Sequence, residues 1–116
     1  MIDFNAYVGI PYETADCWSL VEMVLAELEY KAPDLHSPSG FDNNLWTRVS
    51  IPDVGDVVAF WRNGHIYHVG IAISATHFLH TQENTGAIIE PIHDEYLLKR
   101  LEGIYRYEDC KGHVIP

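Results

Sequence analysis

Between Cys17 and Tyr30 the apolar residues Leu20, Val21, Val24, Leu25 and Leu28 recur every three to four positions, with Glu22, Glu27 and Glu29 off the stripe. That period predicts an amphipathic helix over residues 17–30. Thr14 or Asp16 stands where an N-cap is needed, and Pro33 ends the segment. Residues 31–50 are rich in Pro, Ser, Asn, Asp and Gly, which predicts an irregular loop with one short helical turn at most. From Ile51 onward the period shortens. DVVAFW (Asp56 to Trp61), YHVGIAI (Tyr67 to Ile73), HFLHTQ (His77 to Gln82), AIIEP (Ala87 to Pro91) and LEGIYRY (Leu101 to Tyr107) read as strands separated by turn signals. Asp94 to Arg100 reads as a helical turn. A helix followed by a run of antiparallel strands predicts an α+β fold, with the helix packed on one face of the sheet.

Composition narrows the function classes. With 116 residues the chain is expected to form one domain, 1–116, with a single modest core. Seventeen acidic residues against seven basic ones give a formal charge of −10, which argues against nucleic-acid binding. The same charge gives no electrostatic help in approaching an anionic polymer, so a tether or a local pocket must do that work. No apolar run nears the ~20 residues that span a bilayer, so no membrane insertion is expected. The start, MIDFNAYVGIPYE, has neither a basic nor an apolar leader region, so no secretory signal is expected. Cys17 and Cys110 are the only cysteines, too few to suggest a disulfide scaffold.

Cys17 falls in the first turn of the predicted helix and on its apolar stripe, so its sulfur should face the sheet. A helix N-terminus and a nearby imidazolium both favour a reactive thiolate. His68 and His80 supply the imidazoles. In a hairpin turning near residues 74–76 the two have the same parity and lie roughly opposite each other, so their side chains emerge on one face. A thiol, a histidine base and a group that orients that base make the generalised triad of covalent catalysis. Cys17 is then the nucleophile, His68 the base that later protonates the leaving amine, and His80 the residue that holds the His68 ring. The rival reading is a metal site, because His65/His68 and His77/His80 form two HxxH pairs. Residues three apart on a strand point to opposite faces, and no carboxylate or cysteine completes a zinc spacing, so no metal and no cofactor are expected. His36, His93 and His113 read as solvated loop residues.

The motifs resemble those of the NlpC/P60 cysteine peptidases, a papain-like group that cleaves peptidoglycan stem peptides. Gly9–Ile10–Pro11–Tyr12 resembles the family's lead-in, and Asp16–Cys17–Trp18–Ser19–Leu20 its nucleophile motif. Residues 52–60 (PDVGDVVAF), His68–Val69–Gly70–Ile71, Phe78–Leu79–His80–Thr81 and Gly103–Ile104–Tyr105–Arg106 follow in the family's order. The resemblance implies a papain-like NlpC/P60 fold, with an N-terminal catalytic helix on a five- to six-stranded antiparallel sheet. It assigns Cys17, His68 and His80 the roles already read from their positions, and gives the Cys17 amide a share in binding the oxyanion. Tyr12, Asp16 and Trp18 are implied as substrate-binding or oxyanion support. Tyr12 would hydrogen-bond near the thiol, and Asp16 would bind a substrate amino terminus or cap the helix.

Two departures bear on context. The stretch between Tyr12 and Asp16 is cut to Glu13–Thr14–Ala15, and Trp18–Ser19 replaces the family's Ser-Gly. A DCW form with a short lead-in is similar to phage tail-tip members, which implies a tail-associated hydrolase acting at the bacterial cell wall, with tail-tip proteins as partners. Three functions stay open: a peptidase of the stem peptide, a thiol amidase or acyltransferase on the same scaffold, and a mainly structural tail-assembly component. The intact Cys17, His68 and His80 set speaks against the last. The polar 31–50 loop, with Phe41 and Trp46 as its exposed aromatic candidates, favours a peptide or sugar-peptide ligand over a lipid. Trp46 and Trp61 are candidates for the cleft wall, with core packing the better reading for Trp61.

Overall fold

The computed structural model describes residues 2–30 and 46–107. A 3-10 turn at Phe4–Tyr7 precedes helix α1 (Cys17–Glu27). Then come strands β1 (Trp46–Val49), β2 (Val57–Arg62), β3 (His65–Ala72), β4 (His77–Gln82) and β5 (Gly86–Pro91), the short helix α2 (Glu95–Leu98), and β6 (Leu101–Tyr107). All six strands join one antiparallel sheet in the order β1-β6-β2-β3-β4-β5. This is the predicted α+β architecture, with one strand more than the periodicity showed. The extra strand is β1, inside the stretch expected to be loop. Its aromatic and β-branched residues pair with β6 from Trp46↔Tyr107 to Val49↔Ile104. Residues 31–45 of that loop, His36 and Phe41 among them, lie outside the described residues, as do Cys110 and His113.

Asp16, not Thr14, caps α1: its carboxylate accepts the Ser19 N–H at 2.9 Å. The helix stops at Glu27 rather than running to Tyr30. Glu29 adopts a left-handed φ of 67°, and the amides of Glu29 and Tyr30 turn back to the carbonyls of Ala26 and Leu25. That closure satisfies the last carbonyls well before Pro33 could act. Tyr30 then lies over Gly55, whose φ is +92° and where a Cβ would come within 3.1 Å of the Tyr30 ring, so glycine is required.

The α1 stripe is buried as expected: Cys17, Leu20, Val21, Val24 and Leu25 pack with Val57, Ala59, Val69, Ile71 and Leu79. Each of the four aliphatic side chains of that stripe contributes about 1.5–3 kcal/mol by leaving water. The opposite face of the sheet carries Val58, Phe60, Ala72, Phe78 and Ile104, covered by Ile92 and by Leu97 of α2. Two tryptophans differ from expectation. Trp46 is buried in the core, 5.2 Å from the Tyr107 ring centroid, and does not line a cleft. Trp61 is 48% exposed, at the point where the β2–β3 pairing passes from Phe60↔His68 to Trp61↔Ile66 and leaves Tyr67 of β3 as an extra residue. At the other end of β2, buried Asp56 takes a bidentate pair of hydrogen bonds from Arg106 of β6 at 2.9 and 2.8 Å and a third from the Asp53 amide at 2.7 Å.

Candidate active site

The seam between β3 and β4 closes over two residue pairs only, Ile71↔Leu79 and Ala72↔Phe78, although both strands continue. In a continued ladder the Val69 N–H, which points toward β4, would bond across to Thr81. The Val69 amide is turned to the Cys17 sulfur instead and, with the amides of Cys17 and Trp18 in the first turn of α1, pulls the thiol pKa down. The unzipped half of the seam is therefore where the helix start brings its thiol, against the residue that follows His68.

His68 and His80 bridge the same seam. His68 Nε2 lies 2.8 Å from His80 Nδ1, with the rings edge to face at a 70° interplanar angle. The register differs from the expected one, since continuing Ile71↔Leu79 sets Gly70, not His68, across from His80. The imidazoles meet diagonally, and the same parity keeps them on one face. Gly70 makes this possible. A Cβ there would lie 2.6 Å from the Phe78 ring, 2.9 Å from the Leu79 carbonyl oxygen and 3.0 Å from His80 Cβ. Phe78 stacks on His80 with centroids 4.3 Å apart, and Phe60 packs against His68. His80 is fully buried, and its Nε2 lies 3.0 Å from Glu90 Oε1 on β5.

Burial dominates the electrostatics. It lowers the His68 pKa from 6.5 to about 4, with His80 adding to the effect. Burial also lowers the His80 pKa, against an opposing pull from Glu90. Cys17 is raised above the ordinary thiol range by burial, and Asp16 raises it further, although the three amides pull the other way. Both shifts favour the uncharged forms of thiol and imidazole.

The other expected residues surround the start of α1. Tyr12 has its pKa raised by burial and then by Cys17, Asp16 and Glu83, which places the phenol among those groups. Tyr12 and Asp16 line a cleft of about 640 Å³ with Glu13, Thr14, Ser19 and Glu83. Trp18 is half-buried and packs against the α1 side of the core. The HxxH pairs do not act as pairs, since His65 and His77 are exposed while His68 and His80 turn to each other. His93 is exposed, as expected. Sequence reasoning missed Glu90. Its signal was a single carboxylate in the otherwise apolar AIIEP, on the face of β5 that His80 shares through the Phe78↔Glu90 pairing.

Residues 6–106 match the NlpC/P60 family profile. Among solved structures, the chain is similar to an NLP/P60-family protein described as similar to lipoprotein from Staphylococcus aureus (TM-score 0.69, 20% identity, 89% of this chain and 38% of that one). It is also similar to an NlpC/P60 family protein from Bacillus cereus (TM-score 0.71, 18% identity, 87% of this chain and 36% of that one). A third is the NlpC/p60 domain of the peptidoglycan hydrolase SagA (TM-score 0.63, 18% identity, 87% of this chain and 90% of that one). The chain thus spans less than two-fifths of the first two proteins. No curated protein gives a significant match.

Proposed function

The chain belongs to the NlpC/P60 family, and on that premise we propose that it is a cysteine peptidase that hydrolyses peptidoglycan stem peptides. The observation that carries this reading is the linked pair His68–His80, with the Cys17 thiol at a helix start facing the amide of Val69, the residue that follows His68. A structural neighbour described as a peptidoglycan hydrolase supports the choice of substrate.

In the proposed reaction neutral His68 takes the Cys17 proton as the sulfur attacks the scissile carbonyl carbon. The Cys17 amide at the helix start binds the oxyanion. The tetrahedral intermediate collapses to a thioester, and the amine leaves with the proton held by His68. Water, deprotonated by His68, then attacks the thioester and returns the thiol. The raised Cys17 pKa and lowered His68 pKa make proton transfer part of the attack rather than a prior step.

The cleft lined by Asp16, the residue before Cys17, carries three carboxylates (Glu13, Asp16 and Glu83) and no basic side chain among its described lining residues. That suits a peptide presenting an amine, with Asp16 and Tyr12 beside the reacting bond. Delivery by a phage or prophage tail belongs to the same proposal, on the strength of the DCW motif and the short lead-in; immunogold labelling of virions tests it. The hydrolysis itself is tested by mass spectrometry of muropeptides treated with the purified protein and with Cys17→Ala. New products from the first and none from the second are expected, and cleavage by Cys17→Ala overturns the mechanism.

A further inference from the structure

We propose that Glu90 is a positioning residue that sets which nitrogen of His68 is left free to act as the base. This rests on His68 being that base. The hydrogen bonds run Glu90 Oε1–Nε2 His80 Nδ1–Nε2 His68, at 3.0 and 2.8 Å. An ionised carboxylate only accepts, so the proton between Glu90 and His80 belongs to His80 Nε2. Neutral His80 then has a bare Nδ1, which can only accept. The proton in the second bond therefore belongs to His68 Nε2, and His68 Nδ1 is left with its lone pair.

With His80 fully buried, no solvent proton competes for this assignment. Without an acceptor at position 90 the chain can run in either sense. In the reversed sense His80 Nδ1 donates to His68 Nε2, and His68 carries its proton on Nδ1. A neutral imidazole protonated there cannot take a second proton at that atom, so the nitrogen left by the pairing with His80 is lost as a base. Glu90 touches neither thiol nor substrate and acts through two rings, as second-sphere carboxylates act on metal-bound histidines.

The test is long-range ¹⁵N–¹H NMR of the wild-type protein with ring-labelled histidine, which needs no turnover. Nε2 protonated and Nδ1 bare on both His68 and His80 is expected; a proton on His68 Nδ1 overturns the proposal. Because this arm is independent of cleavage, it remains decisive even if the peptidase reading fails. Variants at position 90 form the second arm, made practical because Glu90 is one-third exposed. Glu90→Gln offers an acceptor oxygen and should keep both the ring pattern and most of kcat. Glu90→Leu should lower kcat roughly tenfold with KM little changed. Glu90→Lys offers only donors, so it should reverse the ring pattern and cost kcat about a hundredfold. A Lys variant with the wild-type pattern and wild-type kcat also overturns it.

Discussion

His68 Nε2 and His80 Nδ1 stand 2.8 Å apart although the two residues are not opposite each other in the sheet. The offset of two residues is filled by Gly70, whose missing side chain is the space the diagonal contact crosses. A Gly70→Ala methyl would meet the Leu79 carbonyl oxygen at 2.9 Å, and backbone cannot swing aside as a side chain can. The substitution is expected to part β3 from β4, lower stability by about 1–3 kcal/mol and abolish cleavage. Urea unfolding and muropeptide digestion check the two effects, and a fully active Gly70→Ala would show that the diagonal pair is dispensable.

Cys17 and His68 should behave as one unit. Cys17→Ser and His68→Ala are each expected to lose cleavage to a similar extent, with the double variant little worse than either. Additive losses in kcat/KM would mean that the two side chains act in separate steps.

On the proposed mechanism the acid limb of the pH–rate profile reports His68. Its pKa of about 4 keeps the base neutral and active well below the usual histidine range, so kcat/KM should fall only as pH approaches 4. Stability follows the same group. A histidine whose folded pKa is depressed contributes fully above its unfolded value of 6.5, and that contribution is lost as pH falls from 6.5 toward about 4. The loss amounts to roughly 3 kcal/mol at most, less whatever solvent reaches the ring. Melting temperatures of the wild type and His68→Ala between about pH 7 and 4 should converge as pH drops. Parallel curves would contradict the assignment.

Iodoacetamide distinguishes a neutral thiol from a standing ion pair. Because burial raises the Cys17 pKa, alkylation should be slow between about pH 6 and 8 and accelerate in the alkaline direction. A rate already at its plateau by about pH 7 would instead reveal a thiolate held by imidazolium.

The Asp56–Arg106 pair ties β2 to β6 away from the chemistry. Removing Arg106 leaves the buried Asp56 carboxylate with only the Asp53 amide among the partners described above, so Arg106→Ala is expected to cost about 3 kcal/mol. Chemical denaturation measures this, and a change within about 0.5 kcal/mol would place the pair among ordinary surface contacts.

Residues that obey a period were legible in the sequence; those fixed by a change of direction were not. The 3.6-residue stripe from Leu20 to Leu25 and the parity of His68 and His80 both carried through to the structure. The end of α1 did not, because Glu29 takes a left-handed turn that usually signals itself by glycine. Trp61 misled because it sits where the pairing with β3 shifts by one residue, Tyr67, and nothing within β2 announces that shift. Strand β1 was hidden because its four residues pair with β6, more than fifty positions along the chain, and a short run has little period of its own. Glu90 was within reach of a parity argument, but only once β5 was known to lie beside β4. The Val69 amide was out of reach, since a sequence shows side chains and not where a ladder fails.

The Ile73–His77 turn gains a consequence from this geometry. Its Ser74 hydroxyl accepts the amides of Thr76 and His77 at 3.2 and 3.1 Å, and the Ile73 amide closes on the His77 carbonyl at 3.0 Å. A slip of one residue there would carry His80 through the plane of the sheet to the helix side and strand Glu90 without its partner. Loop length, ordinarily the most negotiable dimension of a small domain, is here as constrained as the identity of the proposed nucleophile. Natural variation in this hairpin should therefore come as substitutions and not as single insertions or deletions.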